Sequence, residues 1–164
     1  MKYLLAVLFL IMGVLMRVVP FAPNFTPLLS ISLLTGLYTK NRYFAILPIL
    51  IMLISDLYIG NHITAIWVYS SLLLIFVFGY FMKKSSYTSI VTFSIISSIT
   101  FFIVSNFGVW VTGGYSHTFE GLITCYLTAI PFYQNTLLST ILYSSSIHFI
   151  VSLIPSLNKQ LRIN

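Results

Sequence analysis

Apolar segments follow one another along nearly the whole chain, separated by short groups of charged residues, prolines and glycines. A helix crosses the hydrocarbon core of a bilayer with about 20 mostly apolar residues, or somewhat fewer where flanking side chains reach the interface. The pattern therefore predicts an all-α integral membrane protein, a bundle of six transmembrane helices in one domain, 1–164. The predicted helices are 3–19, 26–39, 43–59, 63–82, 88–110 and 135–154.

The segment 119–130 does not fit this scheme as a span. Its apolar residues recur at helical spacing, at Phe119, Leu122, Ile123 and Tyr126. A helix of about a dozen residues rises only about 18 Å, which is too short to cross a bilayer. We expect a short amphipathic or re-entrant helix here, between helices 5 and 6.

The first apolar segment has two features of a secretory signal peptide, since Lys2 precedes a hydrophobic run. No small-residue cleavage site follows that run, and Arg17 stands where such a site is needed. We therefore expect the segment to be retained as a helix.

The positions of lysine and arginine predict the orientation, because these residues collect in the cytoplasmic segments of membrane proteins. With six spans and both termini cytoplasmic, seven of the eight basic residues fall inside, and a seventh span at 119–130 would spoil this bias. The seven are Lys2, Lys40, Arg42, Lys83, Lys84, Lys159 and Arg162. Arg17 and both acidic residues, Asp56 and Glu120, fall outside. The predicted location is a bacterial inner (cytoplasmic) membrane, crossed several times.

Composition narrows the function. The 164 residues are 59% hydrophobic and 6% charged, with a mean hydropathy of +1.01, whereas soluble domains carry about 25% charged residues. This excludes a soluble enzyme, a disordered tail and a nucleic-acid-binding protein, despite the net charge of +6. The single cysteine, Cys125, excludes an intrachain disulfide. No Walker A motif or nucleophile–base pair is recognisable, so we predict neither an enzyme nor a bound cofactor.

Polar and aromatic residues collect at the predicted external ends of the helices, whereas the cytoplasmic loops hold lysine, arginine, serine and little else. A polar and aromatic rim at one mouth of a bundle is typical of a ligand pocket. The candidate ligand-binding residues are Arg17, Asn24, Thr26, Asp56, Asn106, Trp110, His117, Glu120, Tyr126 and Asn135.

Asp56 and Arg17 leave alternatives open. Asp56 closes an apolar run, where an ionisable group is costly unless it is paired or functional, or it caps the turn between helices 3 and 4 together with Gly60. Arg17 lies one turn from the external end of helix 1. It either snorkels outward, holds a ligand carboxylate or phosphate, or forms a salt bridge to Asp56.

Other candidates also have a structural reading beside a binding role. Asn24 and Thr26 are placed to cap helix 2, whose N-terminus would then present free N–H groups to an anion. The Asn106 amide needs a partner at the end of its apolar run. Trp110 is either an interfacial residue or, with Tyr126, a stacking partner for a flat ring.

Metal binding is a further alternative, although no spacing is diagnostic of it. The residues with suitable ligand atoms are Asp56, His62, His117, Glu120 and Cys125. Cys125 is more simply a small apolar filler, and His148, inside helix 6, a hydrogen-bonded core histidine.

Four short motifs resemble known sequences. They are Pro23-Asn24-Phe25-Thr26-Pro27, Ser55-Asp56, Asn106-Phe107-Gly108-Val109-Trp110 and the stretch from Cys125-Tyr126 through Ile130-Pro131-Phe132 to Asn135-Thr136. With these the whole chain resembles an uncharacterised bacterial family of six-helix membrane proteins assigned to transport. More distantly, it is similar to the substrate-binding S components of energy-coupling-factor (ECF) transporters.

The resemblance to S components implies a vitamin or metal-cofactor site near the external face. It also implies docking on a separate transmembrane coupling subunit with two ATPases. S components usually carry a stripe of small residues on helix 1 for this docking. Helix 1 here offers only Ala6 and Gly13, and the nearest such spacing is Ser32-x-x-x-Gly36 in helix 2.

The leading prediction is the membrane-embedded substrate-binding subunit of a micronutrient importer, which binds a small vitamin-like or cofactor-like solute at the external face. Arg17 and the start of helix 2 would hold an anionic group, and Asp56 and Asn106 would orient polar groups. Trp110 and Tyr126 would stack on a ring. The alternatives are a stand-alone small carrier with Asp56 as a protonatable group, and a membrane metal-handling protein or enzyme that uses Asp56, His117 and Glu120.

Overall fold

The computed structural model of the chain describes residues 2–19, 22–60, 62–83 and 86–154. Within these ranges the chain forms six α-helices and one short 3₁₀ helix, with no strand, so the all-helical prediction is confirmed. The helices are α1 (Lys2–Val18), α2 (Leu28–Thr39), α3 (Ile46–Ile59), α4 (Ala65–Phe81), α5 (Tyr87–Val111) and α6 (Phe119–Ser152), with the 3₁₀ helix at Arg42–Ala45. Of the predicted orientation signals, Lys84, Lys159 and Arg162 lie outside the described residues.

Within the described ranges, two segments are long and apolar enough to cross a membrane, judged by length and composition. They are Arg42–Ile59, which joins the 3₁₀ helix to α3, and Tyr87–Val111, which is α5. The apolar helices α1, α2 and α4 are shorter. At 12 residues, α2 rises about 18 Å.

The short helix α2 lies at the centre of the bundle. Every residue of α2 is buried, and the helix contacts each of the other five α-helices. The apolar core gathers around it, because its side chains meet the inner faces of its neighbours. The fully buried apolar residues include Ile31, Leu33, Leu34, Ile51, Met52, Leu72, Ile75 and Ile90.

Small residues bring α2 and α4 into close contact. A Cβ atom on Gly36 would lie against the α4 backbone, and one on Gly79 would collide with the carbonyl group of Leu33. One turn earlier, the Ser32 hydroxyl donates to the carbonyl oxygen of Leu72 at 2.6 Å. The small-residue pair Ser32 and Gly36 is therefore used inside the bundle, where a partner protein does not reach it.

Lys40 joins the end of α2 to the end of α4. It ends α2 in a left-handed conformation, with φ of 47°. Its ammonium group donates to the carbonyl oxygens of Tyr80 at 2.7 Å and Met82 at 2.6 Å. These carbonyl groups lie at the end of α4. The last carbonyl groups of a helix have no partner within the helix, and the C-terminus of a helix favours a nearby cation. Burial lowers the pKa of the Lys40 ammonium group.

The prediction of a separate short helix at 119–130 is wrong. A single helix of 34 residues, α6, runs from Phe119 to Ser152 and contains Pro131 in its interior. Its straight length would be about 51 Å. Proline removes one hydrogen bond from a helix and favours a kink, but it need not end the helix when packing supports both sides.

That packing comes from α5. The Tyr126 hydroxyl donates to the carbonyl oxygen of Ile103 at 2.7 Å. The sulfur atom of Cys125 lies 3.4 Å from the carbonyl oxygen of Asn106. The first half of α6 therefore lies along α5 through Tyr126 and Cys125, where a surface or re-entrant position was expected, while Phe119 and Ile123 remain exposed.

The two ends of the bundle differ in chemistry. Lys40, Arg42 and Lys83 lie at one end, which we call the basic end, where Lys40 contacts the last turn of α4. The ends of α1 and α3 meet the start of α4 at the opposite end, which we call the cavity end. There Arg17 contacts Asp56, and Asp56 contacts Tyr69.

Candidate functional site

A buried ion pair lies at the cavity end. Nη2 of Arg17, in the last turn of α1, is 2.7 Å from Oδ1 of Asp56, near the end of α3. The Asp56 side chain is 1% exposed and that of Arg17 is 17% exposed. Of the alternatives that the sequence leaves open for Arg17, the structure shows the salt bridge.

The second carboxylate oxygen of Asp56 also has a partner. Tyr69, in α4, donates its hydroxyl to Oδ2 at 2.9 Å, and Nδ1 of His62 lies 4.0 Å from the same oxygen. Nη1 of Arg17 lies 2.8 Å from the sulfur atom of Met52. We call Arg17, Asp56 and Tyr69 the ion-pair cluster, since it joins α1, α3 and α4. The main-chain amide of Gly60 donates to the main-chain carbonyl oxygen of Asp56. The Asp56 carboxylate therefore does not cap the turn between α3 and α4.

A cavity of about 820 Å³ adjoins the ion-pair cluster. It lies among the ends of α1 and α3, the segment before α2, the first turn of α2 and the inner faces of α4, α5 and α6. We call it the main cavity, and its volume falls in the range of small-molecule sites. Its polar lining residues are Arg17, Asn24, Thr26, Gly60, His62, Thr136 and Ser139.

The segment between α1 and α2 forms one wall of this cavity. Asn24 adopts a left-handed conformation, with φ of 60°, and the Asn135 side-chain amide donates to the carbonyl oxygen of Pro23 at 3.0 Å. This bond joins the segment to α6. Asn135 therefore positions the wall without lining the cavity itself.

The start of α2 faces the main cavity, but the predicted cap is wrong. The N-cap residue is Pro27, and no side chain caps the helix. Asn24 and Thr26 line the cavity instead, together with Leu28 and Leu29 from the first turn of α2. The amide groups of a first helical turn have no partner within the helix and attract negative charge.

A second cavity of about 210 Å³ includes Asn106 in its lining. It shares Asn24, Phe101 and Thr136 with the main cavity. The Asn106 amide donates to the carbonyl oxygen of Phe102 at 2.8 Å, which provides the partner that its position requires.

Besides Asp56 and Asn135, four of the ten sequence candidates lie outside the lining of both cavities: Trp110, His117, Glu120 and Tyr126. The Trp110 indole donates to the carbonyl oxygen of Ser116 at 3.0 Å. Nε2 of His117 lies 3.0 Å from the carbonyl oxygen of Trp110. Glu120 is exposed in the first turn of α6. The structure thus places these side chains in the connection between α5 and α6 and along its flank.

The metal-ligand candidates do not gather in one place. Among the described residues, no group of three or more histidine, cysteine, aspartate or glutamate side chains could hold a metal ion. Cys125 is 1% exposed. His148 is buried, with Nδ1 2.9 Å from the Tyr38 hydroxyl oxygen, which confirms the prediction of a hydrogen-bonded core histidine.

Tyr69, Thr136 and Ser139 were not among the residues predicted from the sequence to form the site. Tyr69 holds the carboxylate of Asp56, and the other two line the main cavity. The spacing of Thr136 and Ser139, one helical turn apart on one face of α6, was an available signal. For Tyr69 only its polar tip at the start of an apolar helix gave any indication.

Fold and site together define a helical bundle in which a buried ion pair supports a cavity at one end. Residues 1–161 match the family of unknown function DUF6580, and the chain belongs to this family. No curated protein and no solved structure gives a significant match to the chain.

Proposed function

We propose that this protein is a multi-pass protein of the bacterial inner membrane that binds a small solute in its main cavity, as the substrate-binding subunit of a micronutrient importer. The observation that carries the proposal is the main cavity, because it combines the volume of a small-molecule site with a buried Arg17–Asp56 pair. The solute class is vitamin-like or cofactor-like.

Membrane embedding is supported by the outer surface of the bundle. Large apolar side chains are exposed along five of the helices, whereas only 6% of the residues are charged. In a bilayer this surface faces lipid tails. Representative residues are Leu8 and Leu15 in α1, Leu53 in α3, Leu74 in α4, Ile96 and Ile103 in α5, and Leu142 and Phe149 in α6.

The orientation follows from charge. Lys40, Arg42 and Lys83 lie together at the basic end, which by the positive-inside tendency belongs in the cytoplasm. Arg17 is at the opposite end, where its charge is matched by Asp56. The main cavity then lies toward the external face, as a solute-capture subunit requires.

The cavity lining favours a ligand with an apolar body and a few polar groups. Val19, Leu28, Val68 and Phe101 supply apolar surface. Because Asp56 already neutralises Arg17, the ion-pair cluster adds no net charge to the site. The first turn of α2 favours an anionic or electron-rich group on the ligand.

Arg17 contacts the solute in this proposal, whereas Asp56 positions Arg17. Asp56 is 2% exposed and does not line the main cavity, and its oxygens accept from Arg17 and Tyr69. A buried carboxylate with these partners holds the guanidinium group in a fixed orientation.

The resemblance to S components supports a partner, an ECF-type transmembrane coupling subunit with its ATPases. Since Ser32 and Gly36 pack against α4, such a partner must dock on an outward face of the bundle. A stand-alone carrier is the second candidate, favoured by buried hydroxyl groups in α2, α5 and α6 that have no hydrogen-bond partner among the described residues.

The proposal is tested by mass spectrometry of small molecules released from the protein purified in mild detergent. The wild-type protein is expected to release a near-stoichiometric organic solute. The double variant Arg17→Gln with Asp56→Asn removes both charges of the pair together, and we expect it to fold but to lose at least tenfold in bound solute. Either single variant leaves one buried charge unpaired and is expected to lower Tm.

Arg42→Gln is the matched control, because it removes an exposed cation at the basic end. It should keep the solute and the Tm of the wild type. Solute binding that is unchanged in the double variant, or a wild-type protein that binds none, would contradict the proposal.

A further inference from the structure

Buried hydroxyl groups lie in α2, α5 and α6, three helices that contact one another. Four of them have no hydrogen-bond partner among the described residues: those of Thr35, Ser94, Ser97 and Ser144. Each of these residues is at most 1% exposed. Buried polar groups normally have a partner, so four such groups in three neighbouring helices call for an explanation.

Two hydrogen bonds fix how α2 and α6 lie beside each other. The Ser30 hydroxyl donates to the carbonyl oxygen of Thr140 at 2.9 Å, and the Tyr38 hydroxyl lies 2.9 Å from Nδ1 of His148. Eight residues separate the two contacts on both helices, so α2 and α6 run parallel and in step. Thr35 of α2 and Ser144 of α6 therefore lie at nearly the same level.

Contacts at both ends of α5 fix its position along α6. The Tyr126 hydroxyl donates to the carbonyl oxygen of Ile103, and the Tyr87 hydroxyl donates to that of Ser145 at 3.4 Å. The two helices thus run antiparallel, and Ser97 and Ser94 lie between these contacts. By this register Ser94 lies near the level of Thr136 on α6, and Ser97 lies about one turn nearer the cavity end.

These positions place the hydroxyl groups in successive layers through the bundle. Thr136 and Ser139 line the main cavity. Ser94 lies near their level, Thr140 follows, and Thr35 with Ser144 lies about one turn further toward the basic end. We call the four unpartnered residues, together with Thr140, the hydroxyl seam. It leads from the main cavity toward the basic end.

The spacing of the layers suits water. Four residues of helix rise about 6 Å. Two hydrogen bonds through one water molecule cover about 5.6 Å, at about 2.8 Å each. One water between successive layers would therefore give each unpartnered hydroxyl a partner.

A titratable pair closes the seam near the basic end. The Tyr38 hydroxyl contacts Nδ1 of His148, and the Tyr87 ring packs edge-on against the imidazole at 5.5 Å between ring centroids. Among the described residues, Tyr38 of α2 and Tyr87 of α5 are titratable groups that contact His148. An imidazole ring has two nitrogen atoms, one of which can accept a proton while the other donates one.

We propose that the hydroxyl seam binds a file of water molecules and conducts protons between the main cavity and the Tyr38–His148 pair. Each hydroxyl group or water accepts one proton and releases another, so that one proton enters at one end and one leaves at the other. The transmembrane proton gradient drives the flow. The inference rests on the proposed membrane embedding but not on any particular solute, and it favours a carrier driven by protons.

Proton flux is measured with the purified full chain in liposomes that contain the pH indicator pyranine, under a potassium diffusion potential set by valinomycin. Wild-type protein is expected to conduct at least tenfold more protons than protein-free liposomes. Ser144→Val, which replaces a seam hydroxyl by a bulkier apolar group, is expected to lose at least tenfold of that flux. Ser144→Thr keeps the hydroxyl group and should retain most of it.

Ser146→Ala is the matched control, because Ser146 lies two residues away on the same helix and is exposed. Its flux should equal that of the wild type. Wild-type flux no greater than that of empty liposomes would overturn the inference, as would equal flux in Ser144→Val, Ser146→Ala and wild type.

Thermal stability gives an independent readout. If the seam holds water, Ser94→Ala and Ser97→Ala remove a bound partner and should leave Tm unchanged or lower it. If the hydroxyl groups are dry, the same substitutions remove an unsatisfied group, and a raised Tm in both would overturn the inference. Solute release is measured on the same samples, because it distinguishes the two proposals. If proton flux is absent but the protein still releases solute, the inference fails and the proposed function stands.

Discussion

Gly36 of α2 and Gly79 of α4 lie where the two helices approach each other most tightly, since a Cβ atom on either would meet the backbone of the opposite helix. Backbone atoms cannot rotate away as the end of a flexible side chain can. The two glycines therefore set the distance between the central helix and α4. The Ser32–Leu72 hydrogen bond one turn away depends on that distance.

We predict that Gly36→Ala destabilises the protein by about 1–3 kcal/mol, because the added methyl group forces the two backbones apart. Thermal unfolding in detergent measures the effect. Ser146→Ala, at an exposed helical site, is the control and should change stability by no more than about 0.5 kcal/mol. An unchanged Tm for Gly36→Ala would contradict the close approach of the helices.

Lys40 is predicted to stabilise the end of α4 through its ammonium group. Lys40→Asn keeps a residue that tolerates the left-handed conformation but removes the donor to Tyr80 and Met82. Hydrogen bonds from charged groups contribute about 1.5–3 kcal/mol, so we expect a loss of that size in unfolding experiments. Lys83→Asn, at an exposed site nearby, should cost much less, and equal losses would count against a capping role.

Pro131 is predicted to bend α6. Its ring leaves the carbonyl group of Leu127 without the usual helical donor. Pro131→Ala restores that donor, so we expect α6 to straighten. Spin labels at Thr124 and Ser146, which are both exposed, report this as a longer distance in pulsed electron resonance, with Cys125→Ala as background. A distance that does not change would show that packing against α5 alone sets the path of α6.

The orientation proposed for the bundle predicts which sites react from outside the cell. In a Cys125→Ala background, His117→Cys lies at the external side, whereas Lys83→Cys lies at the basic end. A maleimide that does not cross membranes should label His117→Cys in intact cells, and Lys83→Cys only after the cells are permeabilised. The reverse pattern would place the main cavity in the cytoplasm.

The sequence predicted the helices well wherever an apolar run ended at a charge, proline or glycine. The ends of α1, α3, α4 and α5 differ from the predictions by three residues or fewer, because these boundaries reflect the apolar pattern itself. The interior of α6 was mispredicted for a reason of context. Proline ends many helices, but the contact of Tyr126 with α5 supports the turns before Pro131, so that the helix continues through it.

The candidate site was only partly predictable. Topology alone brought Arg17 and Asp56 to the same end, so their salt bridge was among the alternatives. Trp110 and Tyr126 were predicted to stack on a ring at that end, but one sequence does not specify which neighbour a helix face meets. Their polar atoms bond to the carbonyl groups of Ser116 and Ile103.

The burial of all twelve residues of α2 has a consequence for how substitutions are tolerated. A helix at the edge of a bundle has a permissive face, so its tolerance to mutation rises and falls with each turn. On α2 this periodic variation should be absent, and saturation mutagenesis should show that every position between Leu28 and Thr39 is sensitive to substitution. Variation in this stretch then requires compensating changes in the surrounding helices, so α2 is expected to diverge more slowly than its neighbours.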